Sequence, residues 1–259
     1  MRAAYETTLS AVASAHSRVY IALQRAHDLR TTRAAALVGN DRFAGLDELL
    51  LHLDALAKAF ADADELRRLG FLVVRARHDV ETAIEATLAG YLAVTSHAMR
   101  DVMEIADLLR DFAVQPGLVD EWLNVNSRTR RTKFAAVAVR RRLHDAGEHP
   151  YVSSDSSADY KAHSGALHVS PYTDLAAPLG CTDGGGWNGN VGFAEVFEHA
   201  RDLLLALCRL VEALSPGSAA CDLAATPLPA FSAGLSRSHL SPTTLLMRMA
   251  AHNQREIGT

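Results

Sequence analysis

A chain of 259 residues, 49% of them hydrophobic and 22% charged, has apolar material for an ample core and the balance of a water-soluble globular protein, as one large domain or two small ones. The formal net charge of −4 excludes a whole-molecule field that would draw the chain onto nucleic acid or an anionic membrane, so binding of that kind must come from a local patch. Three cysteines, Cys181, Cys208 and Cys221, with no C-x-x-C spacing, suggest neither a disulfide framework nor a zinc knuckle and make a reducing, cytoplasmic setting the default.

Helical periodicity dominates the chain. The first sixteen residues, MRAAYETTLSAVASAH, carry no apolar run of signal-peptide type, and they are expected to stay in the mature protein. Residues 2–29, with Leu9, Val12, Val19, Ile21, Leu23 and Ala26 among polar positions and no glycine or proline, read as one long amphipathic helix. Gly39-Asn40-Asp41 marks a loop. A second helix is expected from Ala44 or Leu46 to Arg68, closed by Gly70. From Phe71 to Phe112 the pattern stays helical, which calls for a break near Gly70–His78 or one long central helix.

The middle of that span, Ala86–Ala98, has no fixed charge. At thirteen residues it is shorter than the roughly 20 needed to cross a bilayer, so it reads as a buried bundle helix, with Gly90 permitting close packing. Pro116-Gly117 breaks the chain, and Val119–Leu123 forms a short packed turn or helix around Trp122. Ser127–Ala146 is the next helix, with Phe134, Ala135, Val137, Ala138 and Leu143 inward; Gly147 and Pro150 end it. Polar residues 153–159 lead into a helix over 157–170. Pro171–Asn190, which contains CTDGGGWNGN, is a long glycine-rich loop, either a lid or a surface insertion. Phe193–Leu214 is a clear amphipathic helix ended by Pro216-Gly217. Residues 219–241 read as an extended, loosely packed segment, and a short helix follows over Pro242–His252. The fold expected is an all-α, single-domain bundle of six to eight helices over residues 1–259.

Two helices carry polar groups on otherwise apolar stretches. His97, Arg100, Asp101 and Glu104 fall within an arc of about 100°, taking roughly 100° per residue. Tyr160, Ser164 and His168, four residues apart, make a second stripe. Packed face to face, the two would bring these groups together. Each also has a plainer reading. Arg100 and Glu104 form an i,i+4 ion pair at the point where a buried segment emerges into solvent. His168, just before Pro171, is placed to meet helix-end carbonyls, and Tyr160 fits a half-buried core aromatic.

No metal or cofactor is expected: His163 and His168 are about 140° apart on a helix, and H-E-x-x-H is absent. Ser164 and His168 have nucleophile–base spacing but no G-x-S-x-G elbow. Seven cations lie within the fifteen residues from Arg128 to Arg142. Arg130, Arg131, Arg141 and Arg142 among them are candidate phosphate ligands, the other reading being a solvated face without interleaved aromatics.

The succession SHAMRDVMEI, DEWL, a basic helix and DYKAHSGALHVSP resembles bacterial helical domains of the HEPN superfamily, with its R-x-x-x-E helix and a later Y-x-x-x-S-x-x-x-H-x-x-P helix. The resemblance covers about residues 75–172 and carries over, by position, only Arg100, Glu104, Tyr160, Ser164 and His168. It implies RNA or a nucleotide as substrate or ligand, a homodimer, and metal-independent ribonuclease chemistry, with His168 as general acid or base, Arg100 stabilising phosphate charge and Glu104 orienting them. Catalytic members place an arginine, then four to six residues, then the histidine on one helix. No arginine precedes His168 at that distance, Lys161 lies seven back, and Arg142 with His149 matches only across Gly147. The alternative is a non-catalytic binding or regulatory module in which the same groups form a structural polar network.

Overall fold

Leucine, valine, alanine and phenylalanine recur at three- and four-residue intervals along four stretches of the chain, and each stretch forms a long helix. The structure, a computed structural model, describes residues 2–148 and 189–238. Those residues form twelve helical segments and no strand: α1 (Arg2–Ala15), α2 (Ser17–Leu37), α3 (Asp41–Asp62), α4 (Asp64–Arg67), α5 (Gly70–Ala89), α6 (Leu92–Val114), α7 (Leu118–Asn124), α8 (Ser127–Lys133), α9 (Ala136–Asp145), α10 (Gly189–Leu214), α11 (Ala219–Ala224) and α12 (Pro229–Ser238). Eight of these have ten residues or more, and the fold is the all-α bundle expected.

The core is built by α3, α5, α6 and α10. Leu49, Leu53, Leu56 and Phe60 of α3, Val73, Ala76, Val80 and Ala83 of α5, Val102, Ala106 and Leu109 of α6, and Phe193, Phe197, Ala200, Leu203, Leu207 and Leu210 of α10 join one buried apolar cluster. Each large side chain here contributes about 1.5–3 kcal/mol of burial. α6 lies most extensively along α10, and α5 packs on α6 and α3. None of the helices in the described residues is long and apolar enough to cross a membrane.

Several boundaries differ from the sequence reading. The first helix breaks at His16, whose backbone (φ −143°, ψ 65°) is not helical, and α2 then runs on to Leu37. Val19, Ile21 and Leu23 are exposed because α2 touches α5 through its second half, where Arg30 pairs with Glu85 at 2.8 Å and Arg33 donates to the Leu88 carbonyl at 2.9 Å. The second helix ends at Ala63, in extended conformation, and Gly70 opens α5 instead of closing its predecessor.

The long central span divides at Gly90. With φ at +87°, Gly90 donates to the Thr87 carbonyl and Tyr91 to that of Ala86. This paired capping needs a left-handed residue, which is the position glycine fills. Gly90 is thus a helix stop, and Ala86–Ala98 straddles a turn with Tyr91 and Val94 exposed. The buried hydroxyls of Thr87 and Thr95, 3.1 Å apart, tie its two sides together.

The basic helix also divides, at Phe134–Ala135. Val139 and Leu143 face the core, whereas Val137 is 74% exposed. Most of the expected loop and the helices placed over 157–170 and 242–252 lie outside the described residues. Gly189 and Asn190, placed at the end of that loop, belong to α10.

The largest departure is at 219–238, expected to be extended and loose. It forms α11 and α12, and Phe231 is buried beside Phe197, ring centroids 5.2 Å apart. Two glycines admit α12 to its site. A Cβ on Gly45 of α3 would stand 2.7 Å from the Ala230 carbonyl oxygen, and one on Gly234 would stand 2.6 Å from the Phe197 ring. The ends of α12 are gripped as well. Glu48 accepts from the Phe231 N–H at 2.7 Å, while Arg42 donates to Ser238 Oγ and the Arg237 carbonyl at 3.0 and 2.8 Å. An acid at the N-terminal end and a cation at the C-terminal end both suit the helix dipole.

Candidate functional site: the charged face of α6

Residues 100, 104, 107 and 111 of α6 fall within about 60° of one another at 100° per residue, and all four are charged. The opposite face, Val102, Ile105, Ala106 and Leu109, lies in the core. Asp107 and Asp111 are nonetheless only 3% and 1% exposed, because α9 covers them. A buried carboxylate without a cation is strongly destabilising, and each of these has one. Arg140 Nε donates to Asp107 Oδ2 at 2.7 Å, with Arg110 Nη1 at 3.8 Å from Asp107 Oδ1. Arg142 Nε lies 3.1 and 3.2 Å from the two oxygens of Asp111. Arg110 Nη2 reaches on to the Asp202 carbonyl of α10 at 3.0 Å, and Arg142 Nη1 donates to the Lys133 carbonyl at 2.7 Å.

One turn earlier, Arg100 Nε donates to Glu104 Oε1 at 3.0 Å, both side chains partly buried. The expected arc of four residues therefore separates. His97 is exposed, Arg100 holds Glu104, and Asp101 turns to α5. There Arg75 Nε and Nη2 donate to the two Asp101 oxygens at 2.6 and 2.7 Å. Asp79, one turn after Arg75, has its carboxyl pushed up to about 7, by burial first, then by its hydrogen bond to Asp101 and the charge there, against the pull of Arg75. The Arg75 guanidinium is held above its ordinary value, chiefly by its hydrogen bond to Asp101.

The four candidate phosphate ligands divide two and two. Arg142 is bound to Asp111. Arg130 donates to the Trp122, Leu123 and Val125 carbonyls at 3.0, 3.3 and 3.0 Å, capping the end of α7, and its guanidinium sits 5.8 Å from the Trp122 ring centroid. Arg131 and Arg141 are exposed, as is Arg128. Tyr160, Ser164 and His168 lie outside the described residues.

Sequence reasoning missed Asp107, Arg110, Asp111 and Arg140, and missed Arg75 and Asp79 on α5. It also missed Glu195 and His199 of α10, buried and 3.2 Å apart. A signal for the first group was present: Asp107 and Asp111 are one turn apart in a helix otherwise patterned as core, and two acids so placed require cations from elsewhere. No group of three metal-ligating side chains occurs among the described residues. Comparison of the chain with protein-family models, curated proteins and solved structures finds no match.

Proposed function

We propose that the chain is a helical module that binds a phosphate-bearing partner, RNA or a nucleotide, without cleaving it, and that the charged face of α6 is its internal framework. The supporting observation is the division of the α8–α9 arginines. Arg130, Arg140 and Arg142 point inward and are engaged by carbonyls or by buried carboxylates. Arg128, Arg131 and Arg141 point outward and are exposed. A centre that stabilises developing phosphate charge needs a cation aimed at the reacting group, and the α6 guanidinium of the HEPN-like motif, Arg100, is directed at Glu104. Three exposed guanidiniums on the consecutive helices α8 and α9 fit backbone phosphates, which arginine holds by paired donors.

Salt-dependent fluorescence anisotropy with a pool of small structured RNAs, with and without chelator, tests the reading. The expected result is binding without cleavage, with the slope of log affinity against log salt reduced by about 2 in the triple variant Arg128→Ala, Arg131→Ala, Arg141→Ala, at roughly 0.7 per lost phosphate contact. Absence of RNA or nucleotide binding overturns it. So does cleavage that survives chelator and disappears in His168→Ala, which would restore the ribonuclease reading.

A further inference from the structure

The facing sides of α5 and α6 carry one cation and two acids at a single point. Arg75 clasps both oxygens of Asp101, and Asp79 follows Arg75 by four residues, so it lies on the same side of α5. The Asp79 carboxyl reaches Asp101 within hydrogen-bond distance, and its Oδ2 is buried with no donor to satisfy it. An ionised carboxylate offers only acceptors. Two carboxyl groups meeting in this way favour holding one proton between them.

Several charged groups on the helices packed against α5 have partners of their own. On α2, Arg30 pairs with Glu85 and Arg33 with the Leu88 carbonyl. On α3, Asp54 pairs with Arg77, and on α10, Glu195 pairs with His199. On α6, Glu104 acts on the charge of Arg75 but is bonded to Arg100. Asp101 and Arg75 are left to govern Asp79, one opposing its ionisation and the other favouring it.

We infer that Asp79 and Asp101 share one proton and, with Arg75, form a pH-sensitive latch between α5 and α6, closed while the proton is held and strained when it leaves. Opening breaks one carboxyl O–H bond, passes the proton to solvent and leaves two facing carboxylates with one guanidinium. The group titrates where a modest change of pH acts on it, since the Asp79 carboxyl stands at about 7 against an ordinary 3.8. A folded-state value raised in this way adds stability that is fully present below the unfolded value and lost as pH rises through the folded one. The loss therefore runs from about pH 4 to about pH 7 and then stops. Because α6 also carries Arg100, next to Asp101 in the chain, and Glu104, one turn on, the latch acts on the helix that bears the charged face.

The test is a carboxyl carbon NMR titration of the full chain, beside thermal melts of wild type and Asp79→Asn from about pH 4 to about pH 9. The asparagine amide donates to Asp101 as the protonated acid does, but it cannot ionise. One carboxyl of the pair should titrate near neutrality. The variant should gain on wild type steadily from about pH 4 to about pH 7 and hold a constant advantage above, histidine titrations being common to both proteins. Titration of both carboxyls below about pH 5, or a difference between the two proteins that does not change with pH, overturns the latch.

Discussion

Two helices are laid onto the α3–α5–α6–α10 core from outside, and opposite means hold them. α12 seats on α3 by shape: glycines at 45 and 234 remove the atoms that would collide, and Phe231 fills the space beside Phe197. α9 seats on α6 by charge, with Arg140 and Arg142 answering carboxylates that are almost wholly buried. The first contact rests mainly on burial, which is non-directional, with Glu48 and Arg42 gripping the helix ends. The second has strict requirements for geometry and for both partners, since an ion pair removed from water repays its desolvation only when complete. Losing α12 would expose apolar surface; losing α9 would strand two aspartates. The same bundle thus contains one joint limited by extra volume and one limited by a missing charge partner.

The sharpest way to break that contrast is Arg142→Ala. It leaves Asp111 buried and unpaired, and denaturant unfolding should show a loss of about 3–5 kcal/mol. Replacing both partners by apolar residues of similar size, Asp111→Leu with Arg142→Met, should recover most of that loss, because a buried ion pair and a packed apolar pair are often equivalent. On the other side, Gly45→Ala drives a methyl group into the Ala230 carbonyl oxygen and should lower stability by about 1–3 kcal/mol. Its effect should be nearly unchanged in high salt. Glu48→Ala removes the acceptor at the start of α12 and should cost about 0.5–2 kcal/mol in the same assay. Arg30→Ala is the control, because its pair with Glu85 is solvent-exposed; the change should be at most about 1 kcal/mol and should vanish with added salt.

Local signals in the sequence carried some of this fold and not the rest. The helix over Phe193–Leu214 was legible because its apolar residues keep the 3.6-residue period without interruption, and the turns at Gly39–Asp41, Pro116-Gly117 and Pro216-Gly217 were legible because glycine and proline punctuate them. The breaks at His16, Ala63 and Phe134 carry no such residue. Gly90 was visible but misassigned, since a glycine between apolar residues looks alike whether it stops a helix or lets another approach. At the site, the Arg100–Glu104 pair follows from i,i+4 spacing alone. The pairing of Asp107 with Arg140 and of Asp111 with Arg142 does not, because it depends on which face of α9 is laid against α6. Residues 219–238 misled for a related reason: alanine, serine, glycine and proline suggest a loose tail, yet the small residues are what let α12 fit.

The grip of α3 on α12 also has a meaning in time. Arg42 and Ser238 are 196 residues apart in the chain, so the seat on α3 leaves the ribosome long before the helix that fills it. At roughly 5–20 residues per second, that interval is on the order of 10–40 s. During it the edge of Phe197, once made, and the groove beside Gly45 stand open to any other apolar helix. The crossing itself suits a helix with glycine at that point, as α12 has at Gly234, because a Cβ there would collide with the Phe197 ring.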